Sequence, residues 1–401
     1  MATGWVDPTL SRGLGPRGPR AAYEEGSRPL REASTFVGLD VHKKDLAVAL
    51  LTPGSKDPLE WRVAHEPTAV RRLARRLQRP SGARVHCVYE AGPCGYALQR
   101  QLQGLGLQCD VVAPSLIPIR PGERIKTDRR DARKLAAMGR AGLLTVVQPP
   151  TEDEEAVRDL CRGRDDARLD LMRARHRLGK FLMRHGRVFD TGQQGTWSQG
   201  HRWWLGQQRF ERFAERVMFE DYLLAVEQTE ARRRSLELHL EDVAREPRYA
   251  EAVGWLRCFQ GIDTLTAITL LAELHDFRRF PSPSQFMAYL GLVPSEHSSG
   301  AHQHRGPITR AGNRHVRRLL VEAAWHYRHK PRVGIKLAQR RQGQPAHIIA
   351  LADRAQLRLC RRYRRMERQG KHPTTIVVAV ARELVGYLWA ALTPRTLAGN
   401  R

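Results

Sequence analysis

Between residues 35 and 113, short apolar runs and amphipathic stretches follow one another in an order that few folds accept. "TFVGLDV" and "DLAVALL" are rich in β-branched and aliphatic residues and flank a polar turn at His42-Lys43-Lys44. A third run surrounds "EWRVA", and the three together predict an antiparallel meander. "PTAVRRLARRLQR" then has helical spacing, with Pro67 where the first turn needs no N–H donor. "RVHCVYEA" predicts a strand, "YALQRQLQGLG" a helix closed by glycine, "CDVVAP" another strand, and "RIKTDRRDARKLA" a further helix. The predicted order is β-β-β-α-β-α-β-α.

Three antiparallel strands followed by helix-linked ones make an α/β sheet of the ribonuclease H type. The rest of the chain reads as helix. Stretches near 152–186 and 207–246 are long, charged and joined by short loops holding the tryptophans of "TWSQGHRWWL". Such helices can fold back as an antiparallel coiled coil. The expected organisation is a disordered basic tail over 1–33, an α/β domain over 34–148, a coiled-coil linker over 149–250, a compact helical domain over 251–335, and basic C-terminal helices over 336–401. The apolar run "TTIVVAVARELVGYLWAAL" contains Arg382 and Glu383, which predicts a packed helix rather than a membrane span.

Lys and Arg total 68 against 42 Asp and Glu, a formal net charge of +26. That excess attracts polyanions, nucleic acid first among them. The six cysteines, at 87, 94, 109, 161, 258 and 360, form no C-x-x-C pair, which argues against structural zinc. With no secretory signal they read as reduced thiols of a cytoplasmic protein.

Against this positive background the acidic residues of "RIKTDRRDARKLA" stand out. Asp128 and Asp131, at i and i+3, share one helix face. Asp40 ends the first predicted strand and Glu90 the fourth, and those strands neighbour each other in the expected sheet. The four carboxylates would then meet without evident neutralising partners, a repulsion that cations relieve. Hard oxygen ligands suit Mg2+ or Mn2+, and two such ions ~4 Å apart serve phosphodiester cleavage. Each acid also has a plainer reading: Asp40 as a strand-end turn residue, Asp128 as a helix N-cap, and Asp131 as a surface partner of Arg124 or Lys134.

A second candidate lies in "SEHSSGAHQHRGPITRAGNRHVRRLL", where Ser298 or Ser299 could attack a phosphodiester, or could be an ordinary turn serine. A third is the glycine turn of "FQGIDTLTAITLLAEL", which could present backbone N–H groups to phosphate.

Taken together, "VGLDVHKKDLAVAL", "YEAGPCGYALQRQL", "PSLIPIRPGERIKTDRRDARKLA" and "GLVPSEHSSGAHQHRGPITRAGNRHVRRLLVEAAW" resemble the DEDD transposases of bacterial insertion sequences, the family one-ten group that includes pilin-gene invertases. The resemblance runs in order from about 35 to 393. It implies that Asp40, Glu90, Asp128 and Asp131 are a metal-binding tetrad on a RuvC-like domain, and that Ser299, before the glycine of the "SG" pair, is a nucleophile, with Ser298 the near alternative. It further implies DNA as substrate, a structured noncoding guide RNA as partner, and a dimer or tetramer acting at the nucleoid. Lys126, Arg129 and Arg130 are then expected to steer phosphates, and Arg305, Arg310, Asn313 and Arg317 to shape the second site. One departure is Gly261-Ile262-Asp263, where relatives carry "GIG"; an Asp there would repel phosphate, so this turn is expected to serve packing. The rival functions are a metal-dependent junction nuclease without a covalent serine, and a catalytically silent nucleic-acid scaffold.

Overall fold

The computed structural model describes residues 34–79, 84–118, 127–190, 192, 195–296, 298–299 and 304–393. The expected basic tail and Lys126 lie outside them. The chain divides into two compact units, Met1–Pro149 and Pro150–Arg401.

The first unit is a mixed α/β domain. Its strands are β1 (Thr35–Val41), β2 (Asp45–Leu51), β3 (Leu59–Ala64), β4 (Val85–Glu90), β5 (Gln108–Val112) and β6 (Val146–Val147), and its helices are α1 (Pro67–Gln78), α2 (Ala97–Gly104) and α3 (Asp128–Arg140). The sheet order is β3-β2-β1-β4-β5-β6. β1–β2 and β2–β3 pair antiparallel, whereas β4 and β5 run parallel to β1, as the run order predicted. The short antiparallel edge strand β6 was not anticipated; two residues leave no periodic signal.

Alternation along the strands separates two faces. Val37, Leu39, Leu46, Val48, Cys87, Tyr89 and Val111 form one core with Val70, Leu73 and Leu77 of α1 and Leu98 and Leu102 of α2. The opposite face is lined by small residues. Ala47 and Ala49 meet Ala132 and Ala136 of α3, and Val88 and Val112 meet its Leu135. Gly38 lets α3 lie almost on the strand: a Cβ there would stand 1.9 Å from the Ala132 carbonyl oxygen and 2.6 Å from the Ala136 nitrogen.

Among the described residues the second unit is helical apart from one hairpin. It contains α4 (Glu152–Arg184), α5 (Gln199–Gly206), α6 (Phe213–Val243), α7 (Pro247–Leu256), α8 (Thr264–Leu274), α9 (Pro283–Tyr289), strands β7 (Pro294–Glu296) and β8 (Arg305–Ile308), then α10 (Arg314–Ala324), α11 (Ile335–Arg341), α12 (Ala346–Arg368) and α13 (Pro373–Leu392). α4 begins in a capping box between Thr151 and Glu154. α4 and α6 pack antiparallel, their ion pairs stepping in opposite directions through Arg164–Glu237, Asp170–Arg232 and Arg175–Glu230. The tryptophan segment between them is more ordered than loops alone: Ser198 caps α5, which carries Trp203 and Trp204, and α6 starts at Phe213 rather than near 207. The hairpin β7–β8, inside a region read as wholly helical, was also missed.

One hydrophobic core draws residues from Cys161 in α4 through Ala391 in α13. By length and composition α13 could cross a membrane. Here Ile376, Val377, Val380, Ala381, Leu384, Val385 and Leu388 are buried in that core, the packing its sequence predicted. All six cysteines are free thiols, five of them buried.

Candidate metal centre and serine hairpin

The acidic face follows from register. Leu39 of β1 pairs with Tyr89 of β4, both buried beneath α1 and α2. Asp40 and Glu90, one residue further on, therefore turn to the other face, where Gly38 and Val88 receive α3. Thr127 caps α3, its Oγ1 accepting from the Arg130 nitrogen at 3.4 Å. Asp128 is thus the first helical residue and not the cap. It stands at the positive end of the helix dipole, with Asp131 on the same face less than a turn away.

Asp40, His42 and Asp128 each bring a ligand atom within 4.8 Å of the others. His42 Nε2 lies 3.1 Å from Asp40 Oδ2 and 3.4 Å from Asp128 Oδ1. The His65 ring nitrogen Nδ1, 2.7 Å from the His42 carbonyl, ties the two turns together. Arg62 reaches across from β3 and donates from Nη2 to Asp128 Oδ2 at 2.7 Å, while Nη1 donates to Asp45. The expectation of acids without neutralising partners is therefore corrected: Arg62 supplies a positive partner on the face itself, and the His42 ring stands within reach of both Asp40 and Asp128. Neither was singled out from sequence, because Arg62 lies 66 residues before Asp128 and only the sheet joins them.

The two aspartates titrate in opposite directions. Burial pushes the Asp40 carboxyl up, His42 partly opposes this, and the negative charges of Asp128 and Asp131 add to the rise. For Asp128 burial also acts upward, but the Arg62 hydrogen bond and the charges of His42 and Arg62 prevail and hold it below the ordinary range. Asp131 thus acts on Asp40 electrostatically, and Glu90 sits half-buried at the neighbouring strand end.

Of the expected phosphate-steering residues, Arg129 is engaged. It donates from Nε to Glu60 at 2.8 Å, and Arg133 donates to the other oxygen at 2.7 Å. The Glu60 side chain is only 6% exposed beneath them. Arg130 remains exposed on α3.

The serine segment belongs to the second unit. Ser298 Oγ donates to Glu296 Oε1 at 2.9 Å and accepts from the His304 nitrogen at 3.3 Å, closing the mouth of the hairpin. Ser299 is exposed. Arg305 lies 3.7 Å from Glu296 across the hairpin, and Arg310 is exposed with φ of 56°. Asn313 and Arg317 hold the fold together. Asn313 caps α10 and donates from Nδ2 to the buried Glu273 at 2.7 Å, which Arg162 also grips through two hydrogen bonds. Arg317 donates to the carbonyls of Leu290 and Ala311 at 2.8 and 2.7 Å. Gly312, at φ of 67°, passes so close that a Cβ would sit 1.8 Å from the Tyr289 oxygen. The glycine-asparagine turn is thus a packing joint.

The turn at Gly261 also packs, as its Asp suggested. A Cβ at Gly261 would meet the Ala323 oxygen at 2.5 Å, and Asp263 caps α8 by accepting from the Thr266 nitrogen at 2.8 Å.

Comparison with known proteins gives two family matches, the first running from the acidic domain into α4 and the second within the helical unit. Residues 37–186 match a DEDD transposase family of IS110 type, described as "Transposase", and residues 255–337 match the "Transposase IS116/IS110/IS902 family". The chain is similar to a putative transposase, y4qE, of Sinorhizobium fredii, 40% identical over 90% of this chain and 88% of the relative. It is also 36% identical to the transposase for insertion sequence element IS1533 of Leptospira borgpetersenii, over 84% of this chain and 97% of that one. A third relative, the transposase for IS1328 of Yersinia enterocolitica, is 28% identical over 60% of this chain and 71% of its own length. Identity at that level along nearly the whole chain, with a DEDD family match on the unit that carries the acidic face, means that this chain belongs to the IS110-type transposase family and is a DNA transposase.

Proposed function

We propose that this transposase cuts and rejoins the DNA of an insertion sequence with an acidic tetrad and a serine nucleophile carried on separate units. The observation that carries the reading is the seating of α3 on β1 at Gly38, which puts Asp128 and Asp131 on the same face as Asp40 and Glu90. The first unit is read as RuvC-like, from its strand order and directions. Asp40, Glu90, Asp128 and Asp131 would hold Mg2+ or Mn2+, with His42 as a close neighbour. The donor set fits such an ion: a carboxyl whose pKa is raised by burial and by two neighbouring anions gains from a cation beside it. Bound there, a divalent ion supplies Lewis-acid chemistry to a phosphodiester.

In this reading Ser299 Oγ attacks phosphorus. An Oγ–P bond forms, the bond to the leaving sugar oxygen breaks, and the hydroxyl proton passes to that oxygen. Rejoining reverses the step on a second strand end. Ser298, engaged by Glu296 and His304, serves the hairpin. Arg130, Arg305 and Arg310, all exposed, would meet phosphates. The net charge of +26 suits a noncoding RNA partner as well as DNA. The α4–α6 pair, read as a coiled coil with exposed Met172, Met183, Leu224 and Leu238, is the proposed contact of a dimer or tetramer.

The test incubates purified protein with element-end DNA, its flanking noncoding RNA and Mg2+, comparing wild type with Ser299→Ala and Asp128→Ala. Wild type should form a denaturation-resistant protein–DNA adduct that both variants lose. Undiminished cutting by Ser299→Ala would replace this reading with that of a metal-dependent nuclease.

A further inference from the structure

The two long basic regions of the helical unit handle charge in different ways. Along α4, α5 and α6 many arginines are matched: Arg164 and Arg233 share Glu237, Arg175 and Arg202 share Glu230, and Arg173 and Arg232 share Asp170. On α12 Arg358 and Arg362 are matched to Glu383, but Arg354, Arg361 and Arg365 have no carboxylate partner among the described residues. Its buried face, Ile348, Ala352, Ala355, Leu359 and Tyr363, joins the core, so the opposite face presents Arg354, Arg358, Arg361 and Arg365 in a stripe at i, i+4, i+7 and i+11. With Arg362 they line an open groove of about 490 Å³, bordered by Glu383 and Tyr387 of α13.

Among the described residues Glu383 is the one acidic side chain lining that groove, and it already serves two arginines, at 3.3 Å from Arg358 and 2.8 Å from Arg362. Among the described residues no carboxylate pairs with Arg354, Arg361 or Arg365. Like charges at i,i+4 cost helix stability.

We propose that the α12–α13 groove is a binding track for the phosphate backbone of duplex DNA, separate from the tetrad and the serine hairpin. Eleven residues of helix rise ~16 Å, enough to follow several phosphates of one strand, which recur about every 3.4 Å of duplex axis. Guanidiniums suit that task, because their planar forks match phosphate oxygens. Single-stranded nucleic acid and RNA loops call for exposed aromatic platforms, whereas the groove offers only the half-buried Tyr387, and this favours duplex. The groove lies beyond residues 37–186 and 255–337, the segments shared with the family models. The proposal rests on the assignment as a DNA transposase and is independent of the serine and guide-RNA readings.

The test measures anisotropy of a fluorescein-labelled duplex of about 30 base pairs with the full chain as salt rises from about 50 to about 400 mM. Arg354→Gln/Arg361→Gln/Arg365→Gln should weaken binding about tenfold at low salt. It should also lower the steepness of the log–log salt dependence by about 3, one per lost phosphate contact, with an unchanged melting temperature. An equal removal of charge from exposed positions on α1, Arg71→Gln/Arg72→Gln/Arg75→Gln, should change affinity less than about threefold. Should the triple variant melt early, Arg361→Gln alone is read for a decrease in steepness of about 1. The proposal is overturned if both triple variants lose affinity equally, if the groove variant binds as wild type does, or if it loses only a structured RNA hairpin while retaining duplex.

Discussion

The acidic face of the first unit and the serine hairpin of the second are built from different materials. Asp40, Glu90, Asp128 and Asp131 hang from two parallel strands and a long helix, and that helix is held against backbone at Gly38. Ser299 follows a three-residue strand in a short hairpin with an irregular register at Pro294 and Glu296. Around the hairpin itself many of the ties are side chains, Ser298 to Glu296, Arg317 to two carbonyls and Asn313 to buried Glu273, and backbone packs closely on backbone further on, where Gly312 meets Tyr289. In the proposed reading the carboxylates would have to keep fixed separations to share an ion, and rigid elements hold such distances best. The serine proposed as nucleophile would meet one substrate atom, which tolerates a lighter support.

The comparison breaks most visibly at the glycines. Gly38→Ala would drive a methyl into the Ala132 carbonyl, and only a shift of α3 relieves it. A loss of about 3 kcal/mol is expected by urea unfolding, together with loss of DNA cleavage. At Gly306 an added Cβ meets only the tip of the Ser295 side chain, which can rotate away. Gly306→Ala should cost less than about 1 kcal/mol in the same assay. Equal costs at the two positions would remove the distinction between a face set by backbone and one set by side chains.

Charge gives the next largest effect. The folded Asp40 carboxyl has its pKa raised above the ordinary 3.8, so its stabilising contribution is present below that value and fades as pH rises through the raised one. Asp128, with its pKa lowered, behaves in the opposite way and loses its contribution as pH falls through its folded value. Asp40→Asn should therefore raise the metal-free melting temperature at neutral pH by about 1–3 °C while abolishing Mg2+-dependent cleavage. A lower melting temperature would mean that the His42 contact outweighs burial and repulsion.

The smallest effect sharpens the assignment of the two serines. Ser298→Ala removes both hydrogen bonds at the hairpin mouth and should lower stability by about 1 kcal/mol, leaving a reduced but detectable DNA adduct. Ser299→Ala should leave the melting temperature unchanged and the adduct absent. A reversed pattern would exchange the roles of the two residues.

The legible parts of the molecule were those with a period. The strands near Asp40 and Glu90 and the helix of Asp128 and Asp131 announce themselves by alternation or 3.6-residue spacing, and the ends of such elements are where the carboxylates sit. His42 lay in a turn that looked merely polar, and Arg62 on a strand read only for its apolar partners. Both become neighbours of Asp128 through pairing of β1, β2 and β3, which no local window contains. The hairpin β7–β8 was invisible for a related reason, since strands of three and four residues hold no full alternation. Asn313 and Arg317 were legible as a motif but not as a function. Their partners, Glu273 and the carbonyls of Leu290 and Ala311, appear only in the folded structure.

By itself the sequence determined the α/β order, the basic character, the packed C-terminal helix and the four acids at element ends, because local spacing and net charge depend on residues alone. Only the tertiary structure decided which charges face one another: Arg62 on Asp128, Arg129 and Arg133 on Glu60, and a stripe on α12 whose Arg354, Arg361 and Arg365 meet no carboxylate among the described residues. Electrostatic energy falls with distance through space, and distance along the chain does not report it.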